Sequence, residues 1–426
     1  MASFSIPLTG LEADSTALNT IANDLSNMNT TAFKAQTTTF SDLFYQQVGE
    51  TGSGDPIQVG EGTQVATNST DFTQGSYNTS GMSSSDMAID GNGFFVVNDG
   101  SENLYTRNGS FSQDTNGKLV TSSGLSVMGY PAVNGVVNTN APLTAISIPL
   151  MGQVQQPKAT TTLSLTANLD STATTSFPAT VPVYDSLGAT HNVTITFTPT
   201  GTANTWSYSA ALPTADFKNG TSTPVTGTMT FDSSGNLEYV TPTNGTQETV
   251  GTGSTDVSSI TLDFANTLAD GANNLDMQWN LLSSGGTPTI SQTDEASAVS
   301  GTTANGNFAG TSTGFTIDSD GTVTAQYTSG TEIVGQVALA NMTNLQGLQL
   351  LGNGDYATTL ASGTATIGVS GSGGLGTIQD SALEASNVNI SSEFSDLIVA
   401  QRAFEANAKS VTTFDTVDQD TINMVH

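Results

Sequence analysis

Apolar residues recur every seven positions at both ends of the chain and every second position between them. Leu11, Leu18 and Leu25 lie seven apart, and Ile21 and Met28 fill the alternate places of the same row, with Asp14 as its polar intruder. That spacing predicts an amphipathic helix with a heptad seam. Asn19, Asn23, Asp24, Ser26 and Asn27 fall outside the seam, and Asn29-Thr30-Thr31 stops it. A stripe this narrow over about 20 residues needs a partner to be stable. The partner is expected at the other end, where Ile390, Leu397, Phe404 and Val411 repeat the interval with Phe394, Gln401 and Ala408 interleaved. This predicts a helix of roughly 35 residues, about 50 Å long. Asn389 or Ser391 can cap it, and Glu405 and Lys409 stand in the favoured i,i+4 orientation for an ion pair. Past Val411 the apolar row shifts to Phe414, Val417 and Met424, with Asp415 and Asp418 on the old seam.

Between the helices the pattern is that of strands. Residues 41–75 begin apolar and turn Gly/Thr/Gln-rich, which reads as an irregular or extended connector. "DMAIDGNGFFVV" and "LYTRNGSFSQDTNGKLV" read as strands, with a hairpin around "DTNG". The same strand-Asp-x-x-Gly-strand pattern returns at "FDSSGNL" (231–237) and "IDSDGTV" (317–323). From 151 to about 311 strand follows strand between Thr/Gly/Asn turns, and "GSGGLG" before the last helix reads as a flexible joint. The expected fold is a mainly β, multidomain protein with nested, discontinuous domains. Residues 1–33 and 382–426 form a terminal α-helical coiled-coil layer, and 34–74 an extended connector. Residues 75–150 and 312–381 form an inner β-domain, and 151–311 an outer all-β domain.

Composition narrows the function. The 426 residues are 36% hydrophobic and only 10% charged, and 7 basic against 37 acidic residues leave a net charge of -30. No basic face is available for nucleic acid or for insertion into an anionic membrane. With no cysteine, neither disulfides nor thiolate metal sites exist. No cleavable signal peptide and no membrane span are visible. Chemistry is equally sparse. His191 and His426 are the two histidines, and His191, inside a strand, reads as a surface residue. "GTSTG" (310–314) matches the G-x-S-x-G nucleophile pattern without its strand-turn-helix context. "DSSG" and "DSDG" lack calcium-loop spacing and read as β-turns, and "GNG" (91–93) is followed by no helix. No catalytic, metal or cofactor-binding residue is singled out.

Two long motifs, one at each end, point to a family. "GLEADSTALNTIANDLSNMNTTAFKAQTTTFSDLFYQ" resembles the N-terminal signature of bacterial flagellar rod and hook axial proteins, through Asn23, Asn27, Asn29, Thr30, Phe33 and Lys34. The C-terminal signature is matched by Glu384, Ser386, Asn387, Val388, Glu393, Phe394, Gln401, Arg402, Phe404 and Asn407. The roughly 160 β-residues inserted between "MGYPA" and "VGQVALANM" resemble the outer domain of the hook branch, which rod proteins lack. Three departures stand out, one of them the acidic tail Asp415, Asp418 and Asp420, which replaces part of the usual apolar end. Asp24 occupies the place of a second Asn, and Ala32 that of a Gly, so the turn there either needs no positive φ or carries a small strain. The resemblance implies a structural, non-enzymatic subunit without cofactors, which polymerises into a flexible curved tube and transmits torque as a universal joint. It also implies a self-assembly seam of Leu11, Leu18, Ile21, Leu25 and Met28 facing Phe394, Leu397, Phe404 and Val411. Implied partners are further copies of the chain, a distal rod protein, a hook–filament junction protein, a hook cap and the flagellar type III export apparatus. The implied location is extracellular. A distal rod protein is the alternative within the family, and a secreted β-rich adhesin or surface-layer protein the alternative outside it.

Overall fold

The computed structural model describes residues 5–424 except 134, 244, 255, 265 and 266; His426 lies outside them. The architecture is mainly β with one long helix at each end, α1 (Ser5–Ser26) and α2 (Ile390–Met424). The chain divides into two compact units. The first comprises 1–150, 314–325 and 332–426, and the second 151–313 and 326–331. No described helix is long and apolar enough to cross a membrane.

The first unit is organised by the strand Phe94–Asn98, which pairs antiparallel with Asn103–Thr106, Ser126–Val133 and Gly330–Asn341. Its "FFVV" run is apolar at every position because both faces are covered. Phe95 and Val97 pack with Met87, Ile89, Leu119 and Leu339, while Phe94 and Val96 pack with Tyr105, Tyr356 and Ala338. The hairpin expected at "DTNG" pairs Phe111–Gln113 with Leu119–Thr121. Asp114 accepts the Asn116 and Lys118 amides at 2.8 Å, and Gly117 takes the left-handed φ of 85° that closes the turn. Asp232 repeats the arrangement with the Ser234 and Asn236 amides. Both carboxylates are therefore turn acceptors, as the β-turn reading requires.

Of the irregular and extended readings of the connector, residues 36–70 take the extended one, as paired strands. Gln36–Asp42 pairs antiparallel with Thr63–Thr70, and Tyr45–Glu50 with Pro56–Gly60. Alternating Thr, Gln and Val make these segments ladder-forming, and the second ladder leaves Phe44 and Tyr45 exposed. The "GSGGLG" stretch forms a hydrogen-bonded turn, with the Gly371 amide donating to Gly376 at 2.9 Å.

The second unit packs two sheets on one core. Six strands run antiparallel from Phe177–Tyr184 to Glu248–Thr249, and a five-stranded sheet centres on Thr162–Asp170. Their inward rows meet at Trp279, whose ring contacts Tyr208 and Phe197 edge-on at 5.7 and 6.2 Å. "GTSTG" begins the strand Gly310–Ile317 and forms no nucleophile elbow. His191 corrects the reading as a surface residue. It shares the inward parity of Val193, Ile195 and Phe197 in Thr190–Pro199 and is 7% exposed.

Candidate functional site: the joined termini

α1 and α2 lie antiparallel. Near the start of α1, Asp14 accepts a 2.8 Å hydrogen bond from Asn407 Nδ2, and a Cβ at Gly10 would stand 2.6 Å from that nitrogen. At the other end of α1, Asp24 lies beside Glu393, whose pKa is raised first by burial and then by the Asp24 charge. Asn389 caps α2 through the Ser391 and Ser392 amides, at 3.0 and 3.3 Å.

The buried face of α1 is Pro7, Gly10, Ala13, Ala17, Thr20 and Asp24. This row also repeats every seven residues but lies one position from the leucines, or about 100° around the helix. Small side chains admit close neighbours: Thr38 Oγ1 meets Thr20 Oγ1 at 3.1 Å, and the Thr63 amide reaches Thr9 Oγ1 at 3.3 Å. Leu11, Leu18, Ile21 and Leu25 are only half-buried, and Met28 is exposed. On α2 no residue is buried. Leu397 and Val411 are half-covered, whereas Phe394 is 53% and Phe404 37% exposed. The leucine row and the phenylalanines therefore all keep part of their surface uncovered by their own chain. Glu405 pairs with Arg402 at 3.0 Å, instead of with Lys409 as expected, and both partners are exposed.

The motif residues converge on a second feature, a buried ionic clasp. Lys34 Nζ meets Glu384 Oε1 at 2.6 Å and donates to the Thr73 carbonyl at 2.8 Å. Arg107 Nε stands 3.4 Å from Glu384 Oε2, and its two other nitrogens bind the Gly93 and Gly91 carbonyls. Burial lowers the Lys34 pKa even though the Glu384 charge pulls it up. Two cations beside one carboxylate, each also bonded to backbone carbonyl oxygen, offset the desolvation that would make a lone buried charge costly, while Oε2 itself accepts no hydrogen bond. Asn387 adds a polar staple: its Oδ1 accepts the Ala35 amide at 2.8 Å, and its Nδ2 donates to the Asp71 and Thr73 carbonyls. The Ala32 amide donates to the Glu384 carbonyl at 2.8 Å, with Ala32 at φ 56°. Of the two readings of that turn, the strained one holds. Asn23 Oδ1 accepts from Asn27, Asn27 Oδ1 accepts from Thr30, and the Thr30 carbonyl accepts the Phe33 amide, which folds the chain back after α1. Ser386 Oγ accepts the Val388 amide at 3.3 Å. Asn29, Gln401 and Arg402 remain on the surface.

Asp24 and Glu393 form the acidic root of the helix pair. Asp24 is fully buried, with Oδ2 accepting the Gln36 amide at 2.8 Å and Oδ1 without a partner. Burial raises its pKa above the usual carboxylate range, against the lowering effect of that amide. Glu393 is raised by burial, then by the charges of Asp24 and Asp396. An adjoining cleft of about 370 Å³ is lined by Ala17, Ile21, Phe40, Asp396 and Ala403 among others.

Three family models match this chain. They are the flagellar hook protein FlgE/F/G D1 domain at residues 88–167, the flagellar basal body protein FlaE D2 domain at 154–307, and the flagellar basal body rod FlgEFG protein C-terminal region at 379–424. Among curated relatives, the flagellar hook protein FlgE of Salmonella typhimurium is 34% identical, covering 99% of this chain and 100% of its own. That of Escherichia coli is 33% identical, with 99% of both chains covered. The Treponema pallidum protein of the same name is 33% identical over 96% of each chain.

Proposed function

This chain belongs to the flagellar hook protein family and is a structural subunit of the bacterial flagellar hook, and from that premise we propose how it assembles and works. Residues 1–33 and 382–426 form the layer through which copies join, 34–74 the segment linking it to 75–150 plus 312–381, and 151–311 a separate β-domain. The observation that carries this reading is α2, a helix of 35 residues with none of them buried. Its exposed Phe394, Ile398, Val399 and Phe404 leave apolar area that a monomer keeps wet and a neighbouring copy covers. The half-buried row Leu11, Leu18, Ile21 and Leu25 extends that surface on α1. A contact of this kind, repeated by rotation and rise, generates an open helical tube.

The tube bends as a universal joint between rod and filament. Bending requires contacts that exchange easily, and a Thr/Ser/Asn/Gly surface with few charged pairs supplies them. Its end partners are the distal rod protein below and the hook–filament junction protein above, with a cap present during growth. The chain reaches its extracellular position through the flagellar type III export apparatus, without a cleaved signal. Catalysis has no part in this reading.

Electron microscopy of purified protein in precipitating salt, which screens the negative charge, tests the assembly surface. The wild-type chain is expected to form short tubes. Phe394→Asp is expected to abolish them while the β-sheet circular dichroism stays unchanged. Normal tubes from that variant would overturn the helix-surface reading.

A further inference from the structure

The second unit carries a side-chain cluster that the assembly role does not use. His191 sits at the start of Thr190–Pro199, and three carboxylates from three separate segments converge on its ring. Asp185 lies in the turn before that strand, Asp216 in the short helical turn Thr214–Asp216, and Asp270 in the loop between Ser259–Asp263 and Asp276–Asn280. Asp185 Oδ2 is 3.1 Å and Asp270 Oδ2 3.9 Å from Nε2, and Asp216 Oδ2 is 2.9 Å from Nδ1.

Each ligating carboxylate spends one oxygen on its own loop and turns the other toward the ring. Asp185 Oδ1 accepts the Leu187 and Ala189 amides at 2.9 and 2.8 Å, which leaves Oδ2 for the cluster. Asp270 Oδ1 accepts the Ala272 amide at 3.0 Å and likewise leaves Oδ2. The Asp216 segment is fixed by the Ala269 amide, which donates to its carbonyl at 2.9 Å. The loops thus position the two Oδ2 atoms beside Nε2 before any ion arrives.

The charge of the corner is unbalanced. Among the described residues, the ion pairs of these three carboxylates are all with His191. Three negative charges against one imidazolium leave an excess of two, with Asp185 fully buried and His191 nine-tenths buried. His191 Nδ1 is also buried without a hydrogen-bond partner, because Asp216 stands close but off the line of an N–H bond. In a neutral imidazole with its proton on Nδ1, on the side of Asp216, the Nε2 lone pair faces Asp185 and Asp270.

We propose that His191 Nε2, Asp185 Oδ2 and Asp270 Oδ2 form a binding site for one divalent transition-metal ion of the zinc class, with Asp216 as the carboxylate that orients His191. Ligands about 2.1 Å from zinc stand roughly 3.0–3.4 Å apart. The Nε2–Asp185 separation of 3.1 Å already matches, and all three ligand atoms lie within 4.8 Å of one another. One nitrogen and two carboxylate oxygens suit zinc better than calcium or magnesium, which prefer all-oxygen shells. A carboxylate on the far nitrogen of a ligating histidine is the usual second partner in such sites. The ion would tie the three segments of this corner together.

The test is titration of the full chain with Zn²⁺ at roughly 0.15 M salt, where charges more than about 8 Å apart are screened. One saturable site per chain is expected, preferring Zn²⁺ over Ca²⁺ and Mg²⁺, and Co²⁺ should give a visible absorption band at the same stoichiometry. Asp216→Asn should weaken binding by about 10–100-fold, and Asp270→Asn by at least as much. Asp270 is partly exposed, so that variant is expected to fold; retained β-sheet circular dichroism confirms it. Glu102→Gln, on the exposed surface of the first unit, should bind as the wild type does. No saturable site, equal binding of Ca²⁺, or unchanged affinity in Asp270→Asn would each overturn the proposal and leave His191 as a protonated ion-pair partner.

Discussion

The core of the second unit and the terminal helix pair are opposite solutions to burying apolar surface. Trp279, Tyr208 and Phe197 are enclosed on all sides by their own chain, so that unit is complete as folded. α2 has no buried residue, and α1 buries only small or polar side chains on its covered face. A finished core makes a rigid body; an unfinished surface makes a subunit that waits for its neighbours. Under the proposed assembly both properties serve a polymer, because the helix pair must remain soluble until copies meet.

Truncation separates the two regions most sharply. Trp279→Ala removes the centre of the second unit's core, and about 3–5 kcal/mol of stability is expected to be lost. Chemical denaturation monitored by tryptophan fluorescence (Trp206 remains) should show that unit unfolding at lower denaturant. Phe394→Asp should leave the same curve unmoved, since its side chain gives up little contact in the monomer. If Trp279→Ala instead left stability intact and abolished tubes, the division between a finished core and an unfinished surface would be wrong.

The same contrast extends to pH. Asp24 and Glu393 have folded-state pKa values raised above their unfolded values, chiefly by burial. Their stabilising contribution is fully present below the unfolded values near pH 4 and is lost as pH rises through the folded ones. Asp114 and Asp232 are held below the usual range, first by the Lys118 and Asn236 amides respectively. Their contribution is present above the unfolded values and is lost as pH falls through the folded ones. Mild acidification from neutrality should therefore favour the helix pair and leave these β-turns unchanged, which weaken only once the pH falls below about 4. Asp24→Asn should flatten the helix response, with an effect of about 1 kcal/mol at neutral pH from removing a buried charge that has one oxygen unpaired. Helical ellipticity at 222 nm, followed through a melt at neutral and mildly acidic pH, reads this directly. An unchanged pH dependence in the variant would place the response elsewhere.

How much of this was legible depends on what signal a residue leaves. The helices, the strands of the first unit and the Asp-x-x-Gly turns follow from periodicity and turn chemistry, which are local. The covered face of α1 was missed because Gly10, Ala13 and Ala17 add little to an apolar pattern, while the leucines one position away dominate it. What decides the packing is how closely a neighbour can approach, and small residues win there. Lys34 and Glu384 lie 350 residues apart, so no spacing connects them; only the family motifs marked both. Arg107 left a fainter sign, as one of 7 basic residues, set just after the strand Asn103–Thr106. His191 was legible and misread, since "HNVTITF" places it on the inward row with Val193 and Ile195.

Ala32 is where the smallest effect is expected, and it tests whether the turn that follows α1 stores strain. Its φ of 56° lies in the left-handed region that favours glycine, at a cost of about 1–2 kcal/mol for a residue with a Cβ. Ala32→Gly relieves that cost. It also removes a methyl group that is almost fully buried, worth about 0.8 kcal/mol, and loosens the unfolded chain. These contributions nearly cancel, so a stability change of only a few tenths of a kcal/mol is expected. A readout beyond stability is needed. Proton exchange of the Ala32 amide, which donates to the Glu384 carbonyl, reports the local opening of this turn. If strain is stored there, Ala32→Gly should slow that exchange although global stability barely moves. Faster exchange would mean that the clasp of Lys34, Glu384 and Arg107 alone sets the backbone, and that the methyl group contributes packing without strain.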